Sequence, residues 1–344
     1  MKKTLFVLAG TALALSAQAG NGCVDVRLSA SSPVLRGDVD VSVNVAVTNT
    51  CRHPVQVLSW QLPSDDGIDN AKFQIERDGQ RVAYHGPIVK RAPAQDKDHI
   101  KLDAGATLNY TLELTSDYDL SQNGRYAVRY TAQGHGKSAT LSSDTLYLWL
   151  EGRSAKLGSA AKAPDTGVTP AAGSISYTGR CSATQKTTLA SAVTAATNYT
   201  VESTNYLSAM SGATPRYTTW FGAYSSANRA TALDHFTKAR NAFQTAALTL
   251  DCSCKKSGTF AYVYPNQPYK IYLCGAFWNG PMTGTDSKAG TLVHEMMHFT
   301  VIAGTDDWAY GQTNAKNLAI SDPIKALNNS DNHEYFAENT PFQN

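Results

Sequence analysis

The residues best equipped to do chemistry stand in one short run, LVHEMMHF, positions 292 to 299. In a helix, His294 and His298 lie four apart on one face and direct both imidazoles at a single point, with Glu295 beside them. Two nitrogen ligands, an open coordination position and a neighbouring carboxylate are what a hydrolytic zinc site needs. The metal acidifies water and polarises a carbonyl, and the carboxylate takes the proton. A surface helix with two solvated histidines fits poorly, because Leu292, Val293, Met296, Met297 and Phe299 around them call for burial, and buried polar groups need partners.

A third ligand must come from elsewhere. A metzincin pattern requires Gly at 301 and His at 304, where this chain has Val301 and Gly304. A thermolysin-like carboxylate about twenty residues further on is missing too, since the segment around 318 has none until Asp322. The near candidates are Asp306 and Asp307, beyond an Ala303-Gly304 turn able to fold the chain back over a metal.

The rest of the chain must position these groups. With 344 residues, 42% hydrophobic and 17% charged, it is long enough for two folded domains. Thirty Lys+Arg against 28 Asp+Glu leave no basic face for nucleic acid. Residues 1–19 combine a basic start, an apolar run from Leu5 to Leu15 and Ala17-Gln18-Ala19, the pattern of a signal for secretion, with the mature chain beginning at Gly20. That run is too short to serve as a membrane anchor. Cys23, Cys51, Cys181, Cys252, Cys254 and Cys274 make an even set in an exported chain, which favours disulfides. Their grouping, two early and four late, predicts no bridge between the halves, and Cys252-Ser253-Cys254 reads as two bridges meeting at one turn.

From Cys23 to Leu150 the apolar residues alternate: Val39 to Val47, Phe73 and Ile75 against Val82 and Tyr84 across Asp78-Gly79, then Leu108 to Leu114, Tyr126 to Tyr130 and Leu146 to Leu150. Short strands with turn signals between them predict an all-β immunoglobulin-like sandwich over residues 20–152, stapled by Cys23–Cys51. Residues 153–173, RSAKLGSAAKAPDTGVTPAAG, hold almost nothing large to bury and read as an exposed linker. Residues 174–344 open with helical spacing over 182–210 and 230–247, return to strands within 259–279, and start a further helix after Asp286-Ser287, giving a mainly helical α+β domain.

HEMMH at 294–298 followed by GTDDWAYG at 304–311 resembles the paired signature of the aspzincins, HExxH plus GTxDxxYG, the family of deuterolysin and the peptidyl-Lys metalloendopeptidases. Gly304, Thr305, Asp307, Tyr310 and Gly311 all match. The likeness covers roughly residues 177 to 344, and bacterial members secreted as exotoxins with a long pro-region are the nearest resemblance. It implies a zincin catalytic domain with Asp307 as third ligand to one zinc ion, Glu295 as general base and Tyr310 stabilising the oxyanion. It also implies the bridges Cys181–Cys252 and Cys254–Cys274. The segment SDNHEYFAENTP, 330 to 341, matches the stretch that supplies two carboxylates to the substrate pocket, so Asp331 and Glu334 imply cleavage on the N-terminal side of lysine. An ammonium entering a partly dry pocket gains most where carboxylates wait for it.

The residues allow other readings. Tyr310 can be a packed aromatic, Asp331-x-x-Glu334 can be a capping box that starts the last helix, and His235 and His333 suit structural or outer positions. A sandwich ahead of a cuttable linker suits a pro-domain that inhibits its own enzyme until removed, with Lys156 and Lys162 as self-cleavage points. Three rivals remain: a deuterolysin-like protease of other preference acting on proteins and peptides, a non-enzymatic secreted binding or toxin module, and a β domain kept permanently for adhesion.

Overall fold

The computed structural model describes residues 22–64, 68–134, 139–154 and 173–344. The proposed signal segment and most of the linker, with Lys156 and Lys162, lie outside the described residues.

Alternation of valines builds the first sheet. In strand Ser42–Asn49, Val43, Val45 and Val47 are buried while Ser42 and Asn44 face out. This strand pairs antiparallel on one side with Val24–Ser29 and on the other with Thr107–Glu113. The predicted strand start at Val39 is too early, for Val39 lies outside the ladder and is 45% exposed. A second, mixed sheet runs in the order Val34–Arg36, Leu146–Glu151, Gly124–Ala132, Phe73–Arg77, Gln80–Arg81. The two sheets share one buried cluster that includes Val45, Val47, Phe73, Tyr126, Tyr130 and Leu148. Burial of this alternating apolar face is the main favourable term for the front part.

The second core is helical. Helix Ala183–Ala209, capped by the Ser182 side chain on the Gln185 N–H, packs along Ser226–Thr245 and Lys288–His298. Behind them lies a five-stranded sheet in the order Ile175–Thr178, Leu248–Asp251, Lys270–Leu273, Thr259–Val263, Ile88–Arg91. The last strand comes from the front part. It adds antiparallel to the edge of the second part's sheet, with Lys90 opposite Ala261 and Val89 opposite Tyr262. Sequence periodicity divided the chain cleanly at 153–173, whereas the fold interlocks the two parts through this strand.

Three disulfides close within their halves: Cys23–Cys51, Cys181–Cys252 and Cys254–Cys274, all as expected.

Candidate metalloprotease site

Helix Lys288–His298 carries the HExxH run, and every residue in it is buried. Ser287 caps it by accepting the Gly290 N–H. Glu338 of the last helix reinforces the cap, accepting from the Ser287 N–H at 2.9 Å and its hydroxyl at 2.8 Å. Gly290 permits that approach, since a Cβ there would sit on the Glu338 carboxylate.

The helix stops at Phe299 and the chain turns back through Gly304, whose φ of +59° is the left-handed conformation glycine adopts without strain. The Thr305 N–H then bonds the Met297 carbonyl, laying the loop over the helix end. Asn329 holds the loop from beyond, accepting from the N–H groups of Trp308 and Ala309. Of the two candidate aspartates, Asp306 turns away to Asn328 and Arg81. Asp307 turns inward, its Oδ1 3.3 Å from His294 Nε2 and 3.4 Å from His298 Nε2.

The two Nε2 atoms are 3.1 Å apart. A tetrahedral zinc with bonds near 2.0–2.1 Å sets its ligands about 3.3–3.4 Å from one another, so these three atoms are spaced as edges of such a tetrahedron. His298 Nδ1 is tied to the Thr305 carbonyl at 2.7 Å, leaving Nε2 for a metal. Neither Glu295 oxygen, nor Asp307 Oδ1, has a hydrogen-bond partner among the described residues, although all are buried. Burial raises Glu295 to about 8. Buried orphan acceptors around a histidine pair are the mark of a site built to receive a cation and water, so the donor set fits zinc.

Tyr310 stands at the rim. Its hydroxyl is 2.8 Å from Asp307 Oδ2 and 2.9 Å from the Val89 carbonyl oxygen, and accepts from Asn70 Nδ2 at 2.7 Å. Burial raises its pKa well above the usual phenol value, so it is a neutral donor.

Asp331 and Glu334, both on helix Ser330–Glu338, lie at the far side of the His294 ring, 2.9 and 3.3 Å from its Nδ1. The helix begins at Ser330 with Asn329 as its cap residue, so Asp331 already lies within the first turn and the capping-box alternative does not describe it. Asp331 instead accepts the Gly311 N–H at 2.6 Å and meets His294 Nδ1 at 2.9 Å. Both carboxylates close on a cation that sequence reasoning had not singled out. Lys90, 1% exposed, sets its Nζ 2.5 Å from Glu334 and 3.3 Å from Asp331, with the Phe260 ring 5.3 Å away. Burial works against its charge, but Asp331 and Glu334 hold its pKa well above the ordinary lysine value. The signal available in the sequence was a lysine interrupting the apolar strand Ile88-Val89-Lys90, a position where a charge needs a partner. His333 is fully buried rather than superficial, and its Nε2 meets His235 Nδ1 at 3.0 Å.

The chain is similar in sequence to known proteins. A family model described as lysine-specific metallo-endopeptidase matches residues 206–338. An extracellular protease of Aeromonas hydrophila is 48% identical over 316 residues, 89% of this chain and 90% of that one. This chain belongs to the aspzincin metalloendopeptidases. A peptidyl-Lys metalloendopeptidase of Grifola frondosa is 36% identical over 98% of each chain. The solved zinc peptidase from Grifola frondosa is 55% identical, covering 48% of this chain and all of that one, with a TM-score of 0.46. The aspzincin is thus a zinc metalloendopeptidase whose relatives extend across both of its halves. Among its described residues no helix is long and apolar enough to cross a membrane.

Proposed function

We propose that this metalloendopeptidase cuts peptide bonds on the N-terminal side of lysine, and that residues 20–152 are a sandwich pro-domain that holds it latent by presenting a substrate-like strand. One observation carries the reading. Lys90 fills the Asp331/Glu334 pocket while the carbonyl just before it, that of Val89, meets the Tyr310 hydroxyl. A lysine after the scissile bond and an oxyanion donor at the carbonyl before it are the two contacts such specificity requires. The strand also borrows the main-chain pairing that an extended peptide would use on the edge of Thr259–Val263.

His294, His298 and Asp307 would hold the zinc, which supplies Lewis acidity toward the carbonyl and water. Glu295, buried with unpartnered oxygens, takes the proton of the attacking water and passes it to the leaving amine. Tyr310 donates to the oxygen on which charge develops. Asp331 and Glu334 seat the ammonium of the residue that becomes the new N-terminus.

Asn70 supports latency. Its Oδ1 accepts the Val89 N–H at 3.0 Å and its Nδ2 donates to the Tyr310 hydroxyl at 2.7 Å and reaches Asp307 Oδ2 at 3.3 Å. The residue adopts a left-handed φ of +61° to do so. It thus clamps the strand and occupies the oxyanion donor together. Secretion through residues 1–19 and release by a cut in 153–173 complete the reading, supported by the name extracellular protease that the Aeromonas hydrophila relative carries.

The test is a digest of an unfolded protein by enzyme whose linker has been cut, with and without chelator, sequencing every new N-terminus. Chelator-sensitive cuts that begin with lysine are expected. Cuts without lysine would favour a deuterolysin-like preference, and no cuts would refute the enzymatic assignment of these residues.

A further inference from the structure

Asp331 touches two places that want its charge. Its Oδ1 lies 3.3 Å from Lys90 Nζ and 2.9 Å from Nδ1 of His294, whose other nitrogen faces His298 and Asp307. Its Oδ2 accepts the Gly311 N–H at 2.6 Å, which stops the carboxylate from turning toward either one alone. Glu334 is weighted differently, with Oε2 at 2.5 Å from the ammonium and 3.3 Å from His294 Nδ1. None of these side chains is more than 1% exposed, so solvent screens little of what they feel.

A carboxylate behind a ligating imidazole raises its basicity, and losing such a partner typically costs about 10- to 100-fold in metal affinity. An ammonium on the same oxygen draws on the same electron density. Resting on the function read above, we propose that Asp331 couples the lysine pocket to the metal site. An ammonium in the pocket loosens the hold of His294 on zinc and leaves the metal a stronger Lewis acid, so lysine is selected in kcat as well as in binding. The coupling is reciprocal, as linkage requires. In the latent chain Lys90 exerts the same pull, so leaving the pocket tightens the metal. A unit charge acting on a divalent ion across one imidazole ring amounts to about fivefold in affinity even at the dielectric of water, with or without Asp331, so the share that Asp331 carries is what exceeds that.

The experiment is zinc affinity, measured by competition with a chromophoric chelator, on full-length chains carrying Glu295→Gln to prevent turnover, with thermal melts to verify folding. Against that parent, Lys90→Met should bind zinc more tightly by more than the through-space factor of about five, and Asp331→Asn at least about tenfold more weakly. Adding Lys90→Met to Asp331→Asn should gain only that through-space part, about fivefold or less and below what Lys90→Met gains alone, and Glu334→Gln should lose less than Asp331→Asn. Asp331→Asn within twofold of the parent, or a Lys90→Met gain of equal size with and without Asp331, overturns the coupling. Should Asp331→Asn not fold, Lys90→Met decides alone, and a gain of about fivefold or less overturns the proposal. With Glu295 intact and the linker cut, kcat on a lysine peptide should exceed that on its norleucine counterpart. Cuts before lysine with flat zinc data would sink the coupling and leave the function standing, whereas a parent that binds no zinc would sink both.

Discussion

Replacing Lys90 by Met in the full-length chain should release latency. Methionine keeps the length and apolar stem of the side chain but withdraws the charge, so Asp331 and Glu334 are left buried without their cation. Removing one partner from a buried ion pair costs about 3–5 kcal/mol. The main-chain pairing of Ile88–Arg91 with Thr259–Val263 is untouched, so nearly all of that cost falls on the fit of the strand in the cleft. At 1.4 kcal/mol per factor of ten, the closed state weakens by about 10²- to 4 × 10³-fold. Tethering offsets part of the loss, because the strand remains at an effective concentration near millimolar. The assay is the initial rate on a fluorogenic peptide with a single lysine, at saturating zinc, with the linker shown to be intact by mass. A rise of tenfold or more over the native chain is expected, with no difference once both linkers are cut. A folded Lys90→Met chain no faster than the native one would refute the idea that this lysine blocks the pocket.

Glu295→Gln should lower kcat by about 10²–10⁴-fold while zinc content stays at one per chain; loss of the metal would make Glu295 a structural group instead. Asn70→Ala leaves the buried Val89 N–H without its partner, about 1–3 kcal/mol, so hydrogen exchange at Val89 in the zinc-free chain should quicken well beyond that at Ile271 in the sheet centre. Burial lowers His333 from 6.5 to about 3. The unfolded chain therefore binds a proton below about pH 6.5 that the folded one refuses. The contribution of His333 to stability is complete above that pH and is lost by about 1.4 kcal/mol per unit as pH drops toward 3. Between pH 7 and 5 the loss of stability from urea midpoints should be smaller in His333→Gln than in the native chain, and equal losses would remove His333 as a contributor.

Local rules carried the sequence a long way where the determining contacts are themselves local. The alternation Val43, Val45, Val47 fixes which face is buried before any partner strand is known, and the spacing of His294 and His298 fixes their convergence once a helix is granted. The loop from Gly304 to Gly311 was legible through its turn glycine and through the family resemblance. The choice between Asp306 and Asp307 was not local, since it depends on Asn328 and Asn329 gripping the loop from another element. Asp331 and Glu334 could also be read as a helix cap because capping and pocket residues share a spacing; what argues against the cap is the register of Ser330–Glu338, which packs against Lys288–His298. Lys90 and Asn70 went unseen for a plainer reason. The strand that carries Lys90 pairs with Ala261, far along the chain, and no periodicity encodes such a pairing. Lys156 and Lys162 stand in a Pro/Gly-rich linker that suggests self-cleavage points, whereas Lys90 sits inside an apolar strand whose partner the sequence does not disclose.

The strand Ile88–Arg91 covers the outermost ladder of the second half, and its departure would leave the main chain of Thr259–Val263 open, with Phe260 and Val263 along it. An uncovered ladder of that kind will pair with whatever extended chain arrives, including another copy of itself. Lysine is plentiful on folded proteins, mostly in helices and turns that cannot lie flat against such an edge. The active enzyme would accordingly read backbone shape before side chain, sparing compact proteins and taking frayed or denatured ones, with its digestion rate set by how often the victim opens.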